Sequence, residues 1–327
     1  MLPAGPPRVL IVTPAPRGSR AGNRTTALRW AGLLRQLGVH VQIREAWHGE
    51  PCDLLLAVHA AKSATSVARC ALALPAVRIA VLLAGTDVYP DFRPDGPTMA
   101  AIERADALIA LQARAADMLP ARLRGKVRTI VQSATAATAP RAGTPFRACV
   151  LAHLRPVKDP LLPFAAMAHV PRTLAIELIV AGRALLPALG KAATAAAAAD
   201  DRCRWVGELP RGAARALVAS SHVCIVPSAA EGGANVVSEA IAAGTPVLAT
   251  SIPGNLGLLG DDWPGLFAPG DARELGGLLQ RAATDRAFHQ RLLARTRDLQ
   301  HLVEPRHELA ALRALLADLG VQRAGGG

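Results

Sequence analysis

The chain of 327 residues is poor in aromatic residues, which make up only 3% of it. Hydrophobic residues nevertheless reach 51%, so alanine, valine and leucine must fill the interior. This proportion excludes an intrinsically disordered chain. The length predicts two domains, each with a core of its own.

Cysteine is also scarce, with five residues and no C-x-x-C pair. Cys149 and Cys224 fall in apolar runs, where a thiol behaves as a small hydrophobic group. This usage argues against a disulfide framework and predicts a cytoplasmic protein. The amino terminus lacks the basic and apolar regions of a signal peptide, and the longest uncharged stretch, 240–260, contains glycine and proline. We therefore expect no stable membrane association.

Lysine is nearly absent, because only four of the 37 basic residues are lysines. The formal net charge is still +12, carried by scattered arginines. Basic runs interleaved with aromatic residues, which would indicate a nucleic-acid partner, are missing. A diffuse positive charge suits small anionic substrates instead. The oligomeric state stays open.

The first part of the chain alternates apolar runs with amphipathic segments. Runs that do not alternate in polarity predict strands of a parallel sheet that is buried on both faces. They lie at 8–13, 39–43, 53–58, 77–83, 106–111 and 127–132. Between the first two, the segment 25–37 predicts a helix with Leu28, Ala31 and Leu34 on one face.

A segment without periodicity, 133–145, is rich in small residues, proline and glycine and predicts a linker. Strand and helix patterns resume after it. The fold class predicted is therefore α/β, with two doubly wound, Rossmann-like domains facing a central cleft. We place the first domain at 1–143 and the second at 144–304. Residues 305–327 predict a C-terminal helix, for which packing back on the first domain is one option, and a frayed tail.

The most informative segment is PSAAEGGANVVSEAIAA, residues 227–243. A strand end is followed by a glycine-containing turn with Glu231, and a helix begins near Asn235 with Glu239 in its second turn. The N–H groups of such a turn and helix start can bind phosphate or sugar oxygens. One carboxylate on the loop and one on the helix could accept hydrogen bonds from different hydroxyls of one ligand.

Polar residues also follow the predicted strands of the first domain. The loop before the first long helix can bind an anion, although it is neither a G-x-G-x-x-G nor a Walker A motif. It contains Gly18, Arg20, Asn23 and Arg24. His59, Lys62, Thr86 and Asp87 follow later strands, where open α/β sheets bind their ligands. Of these, His59 and Asp87 are candidates for acid–base or nucleophile-orienting work.

The segment 227–243 resembles the E-x7-E signature of the retaining glycosyltransferases of family 4, which have the GT-B fold. WVGELP before it, and SIPGNLGLL and GLFAPGD after it, extend the resemblance over about 120 residues. The resemblance implies that Glu239 binds the ribose of a nucleotide-sugar donor. It implies that the donor sugar and diphosphate are held by Glu231, Gly232, Gly233, Ala234, Asn235 and Val236, with Gly207 and Gly18 nearby.

The segment HLRPVKDP, 153–160, resembles the R-x-x-x-K-G segment of the same family. Arg155 and Lys158 match the two cations that neutralise the donor diphosphate, and Asp159 replaces the usual glycine. With Glu231, His59 and Asp87 they complete the candidate catalytic set. Because the sequence has no D-x-D motif, we expect no obligatory metal and no cofactor other than the UDP-sugar substrate.

A narrower resemblance covers the N-terminal half. The segments TPAPRGSRAGNRTTALRWAGLLRQLG, DLLLAVHAAKSA and LLAGTDVYPD are similar to the selenosugar synthases of selenoneine biosynthesis. The resemblance implies transfer from UDP-glucose or UDP-N-acetylglucosamine to selenophosphate, giving a 1-seleno sugar. The acceptor-binding residues implied are Arg20, Asn23, Arg24, His59, Lys62 and Thr86.

Three alternatives remain open. An ordinary family 4 transferase would act on a hydroxyl of a glycan or lipid. A sugar-nucleotide 2-epimerase shares the architecture, although the E-x7-E motif argues against it. A non-catalytic sugar-nucleotide binding protein would lack the polar groups of the N-terminal domain, which this chain has.

Overall fold

The computed structural model describes residues 5–19, 21–88, 93–140 and 143–321. The chain divides into two compact units. Unit 1 comprises residues 1–132 and 305–327, and unit 2 comprises residues 133–304. The second unit is therefore inserted, in chain order, before the last helix of the first.

Unit 1 contains a six-stranded parallel sheet in the order β2-β1-β3-β4-β5-β6. The strands are β1 (Arg8–Val12), β2 (His40–Arg44), β3 (Leu54–Val58), β4 (Arg78–Leu82), β5 (Ala107–Ala110) and β6 (Val127–Thr129). Every residue of β3 is buried, because Leu54 and Leu56 belong to the core on one face and Leu55 and Ala57 to the core on the other. The unbroken apolar runs thus reflect a sheet covered on both sides.

In the described part of unit 1, the α-helices before the second unit are α1 (Gly22–Gln36), α2 (Ala60–Ala73), α3 (Gly96–Arg104) and α4 (Ala121–Arg124). The predicted buried face of α1 is wrong at Leu28, which is 53% exposed. Ala31 and Leu34 face the core as predicted, and Ala27 and Trp30 face it with them. A helix has 3.6 residues per turn, so residues spaced by three each time move gradually around its surface. Residues spaced alternately by three and four stay on one face, as the buried residues of α1 do.

Unit 2 contains a second six-stranded parallel sheet, in the order β12-β11-β10-β7-β8-β9. Its strands are β7 (Phe146–Leu151), β8 (Ile176–Ala181), β9 (Cys203–Trp205), β10 (Val223–Val226), β11 (Val247–Thr250) and β12 (Leu266–Phe267). This is the doubly wound order of the Rossmann fold. Cys149 and Cys224 are register partners on β7 and β10, and both are buried free thiols.

The helices of unit 2 are α5 (Leu162–Met167), α6 (Pro187–Ala199), α7 (Arg211–Ser220), α8 (Asn235–Ala242), α9 (Pro253–Leu259), α10 (Ala272–Thr284) and α11 (Arg286–Leu299). The alanine-rich stretch within 192–199 is helical, as predicted, and forms the end of α6. No helix in the described ranges is long and apolar enough to span a bilayer.

The last helix, α12 (Pro305–Asp318), packs on α1 within unit 1. Leu312, Leu315 and Leu316 enter the same core as Trp30. Trp30 Nε1 donates to Glu308 Oε1 at 2.6 Å, and Glu308 is 1% exposed. The buried carboxylate of Glu308 therefore links the two chain segments that make up unit 1.

The two ends of unit 2 lie side by side. The N–H of Ala134 donates to the carbonyl oxygen of Val303 at 3.0 Å. Just after Ala134, the guanidinium of Arg215 on α7 donates to the carbonyl oxygens of Thr135 and Ala136. The predicted linker is thus held within unit 2 by one backbone hydrogen bond and by the side chain of Arg215.

Candidate active site

The strand order of unit 2 reverses between β7 and β10. From β7 the sheet continues through β8 to β9, and from β10 it continues through β11 to β12. Open α/β sheets bind their ligands beyond the carboxyl ends of the strands at this reversal. The segments that begin there are 152–161, after β7, and 227–234, after β10. They carry most of the donor-binding residues that the sequence predicts.

Glu231 lies at the centre of this edge and is 8% exposed. The hydroxyl of Ser228 donates to its Oε1 atom at 2.6 Å. Lys158 forms an ion pair with the same oxygen. Among the described residues, both of these hydrogen bonds reach Oε1, so Oε2 can accept from a bound ligand. The N–H of Ala229 donates to Val157 O at 2.9 Å and ties the two segments together.

The segment after β7 contains a short 3₁₀ turn, Pro156–Lys158. Asp159 follows it with φ 40° and ψ 58°, the left-handed conformation that glycine adopts most readily. This backbone explains why a glycine would fit where the chain has Asp159. Burial raises the pKa of the Asp159 carboxyl. Arg155, in front of the turn, is exposed, and Lys158 is partly buried.

His153 belongs to the same edge but is absent from the predicted set. Its Nδ1 accepts from the N–H of Arg183 at 3.2 Å. Burial lowers the pKa of the His153 imidazole, and the charges of Arg183, Arg155 and Lys158 act in the same direction. In the sequence, only the position of His153 after a strand indicates a place in the site.

The second carboxylate, Glu239, lies on α8 and is half-buried. The helix follows buried Gly232, then Gly233 with φ 147° and Ala234. Ala234 occupies the N-cap position and has no side chain that could cap the helix. The first-turn N–H groups, which include those of Asn235 and Val236, therefore meet no N-cap side-chain acceptor.

Two glycines at this edge are required for different reasons, close packing at Gly254 and a positive φ at Gly207. A Cβ atom on Gly254, at the start of α9, would lie 2.2 Å from the carbonyl oxygen of Glu231. Gly207, with φ 70°, accepts through its carbonyl from the N–H of Gly182 at 2.7 Å. The predicted Gly207 thus lies at the carboxyl ends of β8 and β9. Neither Gly254 nor Ser228 was among the predicted residues. The importance of Gly254 depends on a neighbour distant in sequence, whereas Ser228 lies three residues before Glu231, and this short spacing was the signal available for it.

In unit 1 the strand order reverses between β1 and β3. The loop after β1 contains exposed Gly18, with φ 84°. Asn23 and Arg24 lie in the first turn of α1. The Nε atom of Arg24 is buried and has no hydrogen-bond partner in the described part of the chain. Arg20 lies outside the described residues.

His59 follows β3 and is 5% exposed. Its Nδ1 lies 3.0 Å from Oδ1 of Asp87, which is completely buried. His59 has φ 75° and ψ 102°, a backbone that costs a non-glycine residue about 1–3 kcal/mol. Lys62 lies exposed in the first turn of α2. Thr86 is in the turn Gly85–Val88, but its side chain is outside the described part.

The structure therefore forms two separate groups of predicted residues. Glu231 and Lys158 make contact in unit 2, and His59 and Asp87 make contact in unit 1. Asn23 and Arg24 share one helical turn, while Arg155 and Glu239 lie in unit 2 and Lys62 lies in unit 1, each within its predicted segment. Within the described ranges, no three histidine, cysteine, aspartate or glutamate residues cluster in a way that could hold a metal ion.

Solved structures share this architecture over nearly the whole chain. Sucrose-phosphate synthase from Thermosynechococcus elongatus is 18% identical, with a TM-score of 0.80, covering 96% of this chain and 99% of that one. HepE from Anabaena, in complex with UDP and glucose, is 15% identical, with a TM-score of 0.74 and coverages of 95% and 99%.

A glycosyltransferase from Rickettsia africae is 12% identical, with a TM-score of 0.74 and coverages of 98% and 100%. At these identities the likeness shows the fold. The prediction of two Rossmann-like units of the GT-B type is confirmed.

Sequence comparison gives the family. No curated protein matches the chain. The family model described as "Glycosyl transferases group 1" matches residues 134–298, which is half of the chain and includes Lys158, Glu231 and Glu239. The protein therefore belongs to the group 1 glycosyl transferases.

Proposed function

We propose that the protein transfers a sugar from a UDP-sugar to selenophosphate, with the donor bound by unit 2. The observation that carries the donor assignment is the contact of Lys158 and Ser228 with Glu231 at the strand reversal of unit 2. This is the position where doubly wound sheets bind nucleotides. HepE from Anabaena, a structural neighbour, has been solved with UDP and with UDP-glucose, which supports a UDP-sugar as donor.

The chemistry of a UDP leaving group fits the charges at this edge. When the bond between C1 of the sugar and the diphosphate oxygen breaks, negative charge develops on the diphosphate. Preorganised cations stabilise such a transition state strongly. Arg155 and Lys158 would supply that charge, and the Oε2 atom of Glu231 would accept from a donor-sugar hydroxyl. The first-turn N–H groups of α8 would bind further oxygens.

Unit 1 would bind the acceptor. It carries 20 lysine and arginine residues against 11 aspartate and glutamate residues, whereas unit 2 carries 17 against 14. The buried Nε of Arg24 lacks a hydrogen-bond partner in the described residues, and such donors in proteins usually have one. A small anion with several oxygens would satisfy it. The resemblance of the N-terminal segments to selenosugar synthases supports selenophosphate as that anion.

In the proposed reaction, selenium forms a bond to C1 and the bond from C1 to the diphosphate oxygen breaks. UDP leaves with the electron pair of that bond. The immediate product carries selenium at C1 with the phosphoryl group still bound to selenium, and hydrolysis of the P–Se bond by water then releases inorganic phosphate and the 1-seleno sugar. Because selenium is a strong nucleophile, this acceptor does not require a strong general base. We expect the reaction to proceed in the presence of EDTA.

Mass spectrometry of the products tests the proposal. The protein is incubated with UDP-glucose or UDP-N-acetylglucosamine and with selenophosphate, phosphate, or a hydroxyl acceptor such as a glycan. We expect a sugar product with the isotope pattern of selenium only when selenophosphate is present. Transfer to the hydroxyl acceptor with selenophosphate left intact would instead identify an ordinary family 4 transferase.

A further inference from the structure

Three buried polar residues of unit 2 form a chain of hydrogen bonds that ends at Glu231. The Nδ2 group of Asn255, on α9, donates to the carbonyl oxygen and to the Oγ1 atom of Thr250, both at 3.0 Å. The Thr250 hydroxyl, at the end of β11, donates to Ser228 O at 2.6 Å. Ser228 donates through its own hydroxyl to Glu231 Oε1. Because Asn255 and Thr250 are completely buried, their effect on a ligand has to pass through Glu231.

The direction of each hydrogen bond in this chain is fixed by chemistry. A carbonyl oxygen has no proton to donate, so the Thr250 hydroxyl is the donor to Ser228 O, and its lone pairs accept from Asn255. For the same reason the Thr250 carbonyl oxygen requires the amide nitrogen of Asn255, and not its oxygen, to face β11. Hydrogen bonds linked in this order strengthen one another in a buried environment.

The chain holds the loop of Glu231 beyond the point where the sheet holds it. The main-chain pairing of β10 with β11 ends at Val226 and Ala249. Two residues after Val226, the Ser228 carbonyl oxygen is bound by the side chain of Thr250. Loss of the Thr250 hydroxyl would therefore release the residue that donates to the Glu231 carboxylate.

The burial of Asn255 costs stability. Its Oδ1 atom is buried and has no hydrogen-bond partner among the residues that the structure describes. Buried polar atoms usually have a partner, and one that lacks it destabilises the fold. Departures from full pairing are expected mainly at functional sites. What Asn255 supplies in return is the pair of hydrogen bonds from Nδ2 to Thr250.

We propose that Thr250 and Asn255 are positioning residues that hold the Glu231 carboxylate for its contact with the donor sugar. Ser228 and Lys158 both bind Oε1 of Glu231, and Oε2 is the oxygen that would accept from a sugar hydroxyl. The inference rests on the donor half of the proposed function, because it takes the donor to be a UDP-sugar whose sugar meets Glu231. It does not depend on which acceptor the protein uses.

Calorimetry of the T250V variant tests the inference on binding alone. Valine has the shape of threonine without the hydroxyl, so the variant removes the hydrogen bond to Ser228 O with little change in packing. We expect the affinity for UDP-glucose or UDP-N-acetylglucosamine to fall about tenfold, as for weakening of one charge-assisted hydrogen bond. The affinity for UDP, which lacks the donor sugar, should change less than about twofold, as expected for an independent site.

Turnover gives a second readout. Because a misplacement of about 1 Å can lower a rate about 10²-fold, the kcat of T250V should fall about 10- to 100-fold. T250S keeps the hydroxyl and removes only the methyl group, so it should retain most of the wild-type activity.

T245V is the matched control. Thr245 is also completely buried and donates to a main-chain oxygen, that of Val218, at 2.9 Å. It lies before β11, however, at the edge of the sheet opposite to Glu231. T245V should lower the Tm as T250V does, while both affinities and kcat stay as in the wild type.

A double-mutant cycle tests Asn255. N255A alone should weaken the binding of UDP-glucose and leave the binding of UDP nearly unchanged. In the T250V background the same N255A change should add almost nothing, because the hydroxyl through which Asn255 acts is absent. Additive effects of the two changes would overturn the role of Asn255.

Equal losses of UDP-glucose affinity and kcat in T250V and T245V, or in T250V and T250S, would make Thr250 a structural residue and overturn the inference. Wild-type binding of both ligands by T250V would overturn it as well. Failure of the proposed function is a different result. A wild-type protein that binds UDP-glucose but transfers no sugar to selenophosphate contradicts the proposed acceptor, and the binding comparison of T250V with T245V still decides the inference.

Discussion

The ion pair of Lys158 with Glu231 joins two residues that are 73 positions apart in the chain. One carboxylate oxygen accepts from the ammonium group and from the Ser228 hydroxyl. This contact fixes the long side chain of Lys158 before any donor binds. A preorganised charge needs little rearrangement during the reaction, which is the condition under which electrostatic stabilisation is most effective.

Replacing Lys158 should therefore lower turnover more than donor affinity. For K158A we expect kcat to fall about 10²–10³-fold, as for loss of one preorganised donor, while UDP binding measured by calorimetry weakens less than tenfold. K191A, an exposed lysine on α6, is the matched control and should behave as wild type. Near-normal turnover of K158A at saturating donor would contradict the role of this residue.

At the scale of elements, the start of α9 packs directly on the loop of Glu231. A Cβ on Gly254 would come within 2.7 Å of the Glu231 Cβ and closer still to its carbonyl oxygen. These are backbone and Cβ atoms, which a change of side-chain rotamer cannot move. The position of the Glu231 loop therefore depends on a glycine at the start of α9.

We expect G254A to displace this loop. The overpacking should cost about 1–3 kcal/mol of the free energy of unfolding, lower the Tm, and reduce transfer activity at the same time. G277A on α10 is the matched control, because an added Cβ there meets no atom within 4 Å. It should stabilise the protein by about 0.5–1 kcal/mol, since alanine favours a helix more than glycine does. Full activity of G254A would show that the loop tolerates the shift.

The elements themselves could be predicted well from the sequence, because a strand buried on both faces leaves an unbroken apolar run. The buried face of α1 was predicted only in part, because Leu28 is apolar but lies on the exposed side of the helix. The loop position of Glu231 and the helical position of Glu239 followed from their motif.

The contacts of the site could not be predicted in this way. Lys158 and Gly254 reach Glu231 only because β7, β10 and β11 are neighbours in the sheet, whereas Ser228 lies three residues before Glu231 in the same loop. The contact of His59 with Asp87 depends in the same way on the pairing of β3 with β4. The spacing of residues in the sequence does not indicate which strands pair. The residues could therefore be predicted one by one, but the contacts between them could not.

At the scale of the whole molecule, the excess of positive charge is concentrated in unit 1, with 20 basic against 11 acidic residues. An anionic acceptor attracted by this charge should bind more weakly as salt screens it, because the Debye length falls from about 10 Å at 0.1 M to about 3 Å at 1 M. We expect the KM for selenophosphate to rise severalfold over this range.

The KM for the UDP-sugar should rise less, because unit 2 has 17 basic against 14 acidic residues and its cations act at short range. Steady-state kinetics at several chloride concentrations measure both constants, with a neutral-osmolyte series as the control for water activity. A larger salt effect on the donor than on the acceptor would argue against assigning the acceptor to unit 1.

The hydrogen bond between Ala134 and Val303 has a consequence for how such a protein can be rebuilt. Because the two ends of unit 2 meet, residues 133–304 form a cassette whose entry and exit are adjacent. To replace this cassette with the corresponding segment of a relative, the chain has to be rejoined at only two positions, and these positions lie next to each other. Under the proposed function, a double crossover at these joints would exchange the donor specificity, while the first and last segments of the chain keep their contact through Trp30 and Glu308.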